Sequence, residues 1–322
     1  MKKITILIIV LLISITGFSQ KRRDVRNDLA LKLKVKSFYQ EMYIQNSTMS
    51  TFTLPYCQQG SGTNYVLTGN IAPNYYVFPK NWGLALVLTP QIRVRGEMGK
   101  SYPLQPASFV PHGTFYLKLS PDTVNYKYLS LQIAHHSNGQ DGDPLTSDGS
   151  INTVDGNFNT NYAELALNFG HQTNRSHQYV KLGVELHSGL LEILDEEAYR
   201  DQFGKIRFNY IFSDSKYTSL LIKRTRRTQT AQSTQELWRT VLEGMVIADS
   251  DYLGYPLTNV EWYQRFNVEL KIYRKIKNSH NTSIFVSAGY LGHDYYNIHF
   301  QEHYPIFRIG LAAGSFFFKD YK

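Results

Sequence analysis

The sequence predicts an all-β protein: a transmembrane antiparallel β-barrel of twelve strands with a short N-terminal extension. Three observations lead there. From about residue 80 onward the chain alternates apolar and polar residues over segments of seven to ten, the period of strands with one apolar face. The polar parity carries Arg93, Arg95, Lys118, Lys181, Glu185, Glu269, Lys271 and Arg308. That suits a packed or wet barrel interior behind a lipid-facing exterior, whereas a soluble sandwich would turn its apolar faces inward. The third observation is an export signal at the start of the chain, with no internal apolar run near the ~20 residues a membrane helix needs.

Met1-Lys2-Lys3 is a basic start, and Ile4–Phe18 is an apolar run broken only by Thr5, Ser14, Thr16 and Gly17. Small residues at Gly17 and Ser19 complete a secretory signal peptide over 1–19, with cleavage after Ser19. Residues 20–60 are weakly periodic and read as a periplasmic or plug-like extension, leaving 61–322 for the barrel. Ten strands are expected at about 82–95, 113–120, 125–137, 159–169, 178–188, 205–213, 217–227, 261–274, 282–295 and 304–315. The stretch 60–80, "GTNYVLTGNIAPNYYVF", supplies two more. Gln229–Thr258 is long for a turn, and "QELWRTVLEGM" within it has helical character, so it reads as an extracellular loop with a short helix. Tyr and Trp near segment ends ("NYKY", "EWYQRF", "HDYYNIHF") fit interfacial girdles.

Composition narrows the function. Hydrophobic residues are 42% of 322, which excludes a disordered chain. The single cysteine, Cys57, allows no internal disulfide. A net charge of +8 would suit nucleic acid, but export argues against that partner. Basic clusters at Lys21, Arg22, Arg23 and Arg26 and at Lys223–Arg227 suit anionic lipid, or are a solvated positive surface.

The chemistry concentrates in Leu129–Gly139, "LSLQIAHHSNG". Parity puts Leu129, Leu131, Ile133, His135 and Ser137 on the lipid-facing row and sends Ser130, Gln132, Ala134 and His136 to the lumen. A histidine and a serine facing lipid cost desolvation unless they are used. Two apart on one strand face, they suit a general base and its nucleophile, at the height of phospholipid ester bonds. A third group must orient the imidazole. The next strand, "NFNTNYAELALNF", starts beside the end of this one, with Asn159 and Asn161 on the matching parity. Asn157 and Asn168 fit less well, by distance and by parity.

These residues resemble the outer-membrane phospholipase A barrels. Their H-x-S-N-G strand end is matched by His135-His136-Ser137-Asn138-Gly139, and their Asn followed three residues later by Tyr is matched by Asn159 and Tyr162. An Asp-Pro in the intervening loop is matched by Asp143-Pro144, and "GYLGHDYYNIHF" and "FRIGLAAG" look like the last two strands. The likeness spans about 60–318. It implies a twelve-stranded barrel in the outer membrane of a Gram-negative bacterium, hydrolysing sn-1 and sn-2 acyl esters of phospholipids with calcium, and active as a homodimer. It assigns His135 as base, Ser137 as nucleophile, Asn159 as the orienting residue and the Gly139 N–H to the oxyanion hole. The implied calcium ligands are the Gln140 carbonyl, Thr146 or Ser147 after the Asp-Pro, and Ser101 from a partner subunit. The loop between Ser137 and Asn159 is about ten residues longer than in that family and carries Asp141, Asp143, Asp148 and Asp155, which suit a hard cation.

Two other functions use the same pattern. A porin or structural barrel would treat HHSNG as a polar strand end, and an acyltransferase barrel would pass the acyl group to an amine or hydroxyl rather than to water. Parity favours the enzymes, since a pore has no use for His135 and Ser137 on its lipid face.

Overall fold

The computed structural model describes residues 41–46, 48–59, 65–77, 83–97, 104–122, 124–173, 175–187, 203–224, 229–248, 262–279, 281–314 and 317–320. The expected signal peptide and most of the N-terminal extension lie outside them. The strands are β1 (Ser50–Gln59), β2 (Tyr65–Ile71), β3 (Tyr75–Val77), β4 (Leu84–Glu97), β5 (Ser108–Lys118), β6 (Asn125–Ser137) and β7 (Asn159–Gln172). They continue with β8 (Ser176–His187), β9 (Ile206–Arg224), β10 (Gln229–Ile247), β11 (Phe266–Lys275), β12 (Thr282–Leu291), β13 (Tyr304–Ala313) and β14 (Phe317–Asp320). β1, β2 and β4–β13 pair antiparallel in sequence, and β13 returns to β1, so these twelve close a barrel without an edge. β3 and β14 are short additions, against β4 and β10.

The period of two decides which way each side chain points. On β6, Leu131 and Ile133 are exposed while Tyr126, Tyr128, Ser130, Ala134 and His136 are buried. On the barrel's outer wall stand Leu165, Leu167, Leu182, Val184, Val268, Leu270 and Ile272, all exposed. An apolar exterior with a charged interior is stable only when the exterior meets hydrocarbon. No helix among the described residues is long and apolar enough to cross a membrane; the strands do so.

Inside, charge meets charge. Arg95 clamps Asp294 at 2.6 and 2.7 Å, Lys181 reaches Glu164 at 2.7 Å, Arg308 reaches Glu269 at 2.5 Å and Arg239 reaches Glu236 at 2.7 Å. Pairing is what makes buried charge tolerable, because an unpaired ion there loses its hydration without return. The strands are joined by short connections (119–124, 173–175, 276–281) at one end and by long ones (98–107, 138–158, 188–205, 292–303) at the other. Residues 41–45 form a helical turn inside the short-connection end, where Met42 packs against Ala85, Val87, Tyr116, Tyr126 and Tyr128. Glu41 accepts from Lys118 Nζ at 2.9 Å and from the Tyr128 hydroxyl at 2.6 Å, anchoring this plug.

Three expectations need correction. The barrel begins at Ser50 rather than after residue 60, because β1 occupies 50–59. The two strands expected at 205–213 and 217–227 are the single strand β9, which runs unbroken through 214–216; Ser213 and Ser215 are fully buried in the lumen. Gln229–Ile247 is a strand rather than a loop with a helix. A β-bulge between Glu236 and Trp238 breaks its alternation. The bulge brings Glu236 and Arg239 together at i, i+3, imitating helical spacing. Two strands missed, β1 and β10, are balanced by two counted in excess, the division of β9 and a second barrel strand in 60–80, where β3 lies outside the closed ring, so the total is twelve either way.

Candidate active site

β6 and β7 pair in unbroken register from Asn125↔His171 to Ser137↔Asn159, at the long-loop end. Asn138 and Phe158 continue that register, the N–H of Asn138 donating to the Phe158 carbonyl at 3.1 Å. Hydrogen-bonded pairs alternate with non-bonded ones in an antiparallel ladder, so His135↔Asn161 and Ser137↔Asn159 are the non-bonded kind. In such pairs the backbones approach to about 4.5 Å and side chains meet most closely.

His135 Nδ1 lies 2.9 Å from Asn161 Oδ1. An amide oxygen can only accept, so Nδ1 carries the proton, and in the neutral ring Nε2 then bears the lone pair. His135 and Ser137 share the outward face, half-buried, two positions apart. No hydrogen bond joins them in this state; such contacts commonly tighten only with substrate bound. The site therefore brings together His135, Ser137 and an asparagine, but that asparagine is Asn161, while Asn159 stands opposite Ser137. The sequence marked both as possible partners, and only the register separates them.

His136 goes the other way, as parity requires. Its ring is buried, with Nε2 2.8 Å from the Ser108 hydroxyl and an edge contact to Phe158 at 4.9 Å between centroids. Phe158 in turn packs with Phe203, Ile298 and Phe300, capping the lumen beneath the long loops. Between this cap and the plug remains a polar cavity of about 350 Å³ that reaches Arg93, His112 and Lys181.

Beyond Ser137 the chain turns at Gly139, whose φ of 66° is left-handed and favours glycine. A Cβ there would lie 3.6 Å from the Phe109 ring. Phe109 pairs with Ser137 across β5 and β6 and is 39% exposed, so an aromatic wall borders the serine on the side away from β7. The sequence offered no sign of this neighbour. The Gln140 N–H is taken by Asn138 Oδ1 at 3.2 Å, while the Gly139 N–H has no acceptor among the described residues.

The residues expected to hold calcium do not converge. Thr146 and Ser147 sit at the exposed tip of a hairpin closed by the Leu145↔Ile151 bridge. The Thr146 hydroxyl is engaged there by Asp148 and by the Ser150 carbonyl at 3.0 Å. The Thr146 hydroxyl and the Ser150 N–H hold the Asp148 carboxyl below its ordinary value. Asp155 is tied to Asn152 Nδ2 at 2.8 Å. Ser101 lies outside the described residues. Among those described, no three His, Cys, Asp or Glu side chains are grouped to hold a metal.

Fold and site together define a transmembrane β-barrel with a His–Ser–Asn constellation on the lipid-facing side of one rim. The chain is similar to the solved outer membrane phospholipase A from Escherichia coli, at 9% identity over 83% of this chain and 92% of that one, TM-score 0.49. It is similar to a Salmonella typhi outer membrane phospholipase dimer with bound calcium, at 9% identity over 83% and 90%, TM-score 0.48. It is also similar to the NanC porin, at 8% identity over 83% and 99%, TM-score 0.42. The sequence matches no protein-family model and no curated protein.

Proposed function

We propose that this protein is an outer-membrane phospholipase A that hydrolyses acyl esters of phospholipids in the bilayer around it. The observation that carries the reading is the 2.9 Å contact between His135 and Asn161 on the lipid-facing row that also bears Ser137. Histidine Nε2 takes the Ser137 proton as Oγ attacks the ester carbonyl carbon. The oxyanion that forms is met by the Gly139 N–H. The tetrahedral species collapses, the imidazolium returns the proton to the departing lysophospholipid oxygen, and an acyl-serine remains. Water, activated by the same imidazole, then releases the fatty acid. In this reading Asn161 takes the orienting role that the resemblance gave to Asn159.

Localisation in a Gram-negative outer membrane fits an even-stranded barrel with short connections at one end and long ones at the other. The porin alternative is disfavoured by the plug and by the ion pairs that fill the barrel interior. Calcium dependence and a dimeric active form are further proposals, drawn from the resemblance and from the calcium-bound Salmonella dimer. Thr146 and Ser147 as found do not fit a calcium site with Gln140, so no step above passes through a metal.

The test is fatty-acid release from phospholipid–detergent micelles by wild type and Ser137→Ala, each with calcium or EDTA. Release by wild type alone is expected. Equal release by both proteins refutes the assignment, and wild-type activity indifferent to EDTA removes calcium from it.

A further inference from the structure

Asn138 is buried, with 2% of its surface exposed, and its side chain makes three hydrogen bonds. Nδ2 donates to the Gly156 carbonyl at 2.8 Å, and Oδ1 accepts the Phe158 N–H at 3.0 Å and the Gln140 N–H at 3.2 Å. In a regular ladder the Phe158 N–H would go to the backbone carbonyl of residue 138, since the reciprocal bond, Asn138 N–H to Phe158 carbonyl, is present at 3.1 Å. The side-chain amide oxygen has taken that carbonyl's place. The main chain is thereby released from the ladder one residue after Ser137. The second bond, to Gln140, closes an Asx turn, which asparagine and aspartate form readily. Gly139 is held inside that turn at a φ of 66°. The turn uses the Gln140 N–H and leaves the Gly139 N–H without an acceptor, beside the serine.

Resting on the acyl-transfer reading of Ser137, we propose that Asn138 is a positioning residue that builds the oxyanion donor. By accepting the N–H groups of Phe158 and Gln140 it breaks the ladder at the position that turns the Gly139 N–H toward the ester oxygen. It touches no substrate and moves no proton. Losing a well-aimed oxyanion donor costs roughly 10²–10³ in kcat, and that is the scale expected when the amide oxygen is removed.

The experiment compares wild type, Ser137→Ala, Asn138→Ala, Asn138→Leu and Asn138→Asp, as whole folded barrels in detergent, on a matched aryl ester and aryl thionoester. Sulfur accepts a hydrogen bond poorly, so an aligned N–H makes wild type prefer the ester. Asn138→Ala and Asn138→Leu are expected to lose kcat on the ester on that scale, with KM changed by only a few-fold. Their ester-to-thionoester ratio should collapse toward one. Asn138→Asp keeps both acceptor bonds but sets a second acceptor oxygen against the Gly156 carbonyl, so it should lose stability yet, where folded, retain most of the wild-type ratio. A folded Asn138→Ala or Asn138→Leu with wild-type kcat and ratio overturns the proposal while leaving Ser137 as nucleophile. Lost kcat with an unchanged ratio also overturns it, since general damage lowers both substrates alike. Failure of both variants to fold would assign the residue to folding and overturn it too. No hydrolysis by wild type, or equal hydrolysis by Ser137→Ala, removes the Ser137 reading itself and this proposal with it.

Discussion

Replacing Asn161 with alanine separates the two asparagines at the candidate site. The substitution deletes the acceptor 2.9 Å from His135 Nδ1, on a residue only 3% exposed. Leaving such a donor unpaired costs about 1–3 kcal/mol. It also removes the preference for the tautomer with a bare Nε2. If that whole amount falls on the transition state, kcat drops by roughly 5- to 150-fold at ~1.4 kcal/mol per decade. Asn159→Ala, opposite Ser137, is expected to change kcat by less than about threefold, a few tenths of a kcal/mol. Initial rates of fatty-acid release under saturating micellar phospholipid measure both, with folded protein quantified by its gel mobility without heating. A larger loss from Asn159→Ala than from Asn161→Ala would refute the orientation argument. So would an Asn161→Ala enzyme as fast as wild type.

Other outcomes follow from the same geometry. His135→Gln should abolish Ser137-dependent release; His136→Gln should leave the folded enzyme active but lower its urea stability by about 1–3 kcal/mol, because it disturbs the buried contact with Ser108. Leu165→Arg, on the lipid face, should cost up to ~2–4 kcal/mol in a refolding titration into lipid vesicles, the more so the nearer it lies to the midplane. Glu41→Ala leaves Lys118 and Tyr128 without this partner inside the barrel and should lower stability by about 1–3 kcal/mol in urea. If the plug contributes nothing, its unfolding midpoint will coincide with that of wild type.

The periodicity of side chains is local, and so it was legible. Leu129, Leu131 and Ile133 against Ser130, Gln132 and Ala134 disclose a strand, its lipid face and the outward direction of His135 and Ser137, since successive residues on a strand must alternate. The same rule sent His136 inward, where its ring meets Ser108. Anything that depends on how one strand lies against another was not legible. Asn159 and Asn161 have the same parity, and the choice between them is a matter of two residues of register. The bulge at Glu236 and Trp238 hid β10, because one extra residue shifts the period and leaves a polar stretch that looks helical. The polar stretch 214–216 read as a break between two strands, but Ser213 and Ser215 are buried in the lumen within one strand. Asn138 was legible only as part of the H-x-S-N-G strand end. Its substitution for a ladder carbonyl appears only when Phe158, twenty residues later, closes against it. Alternation is a property of one strand's backbone, whereas register and bonding partners belong to the closed barrel, and those decide which groups meet at the serine.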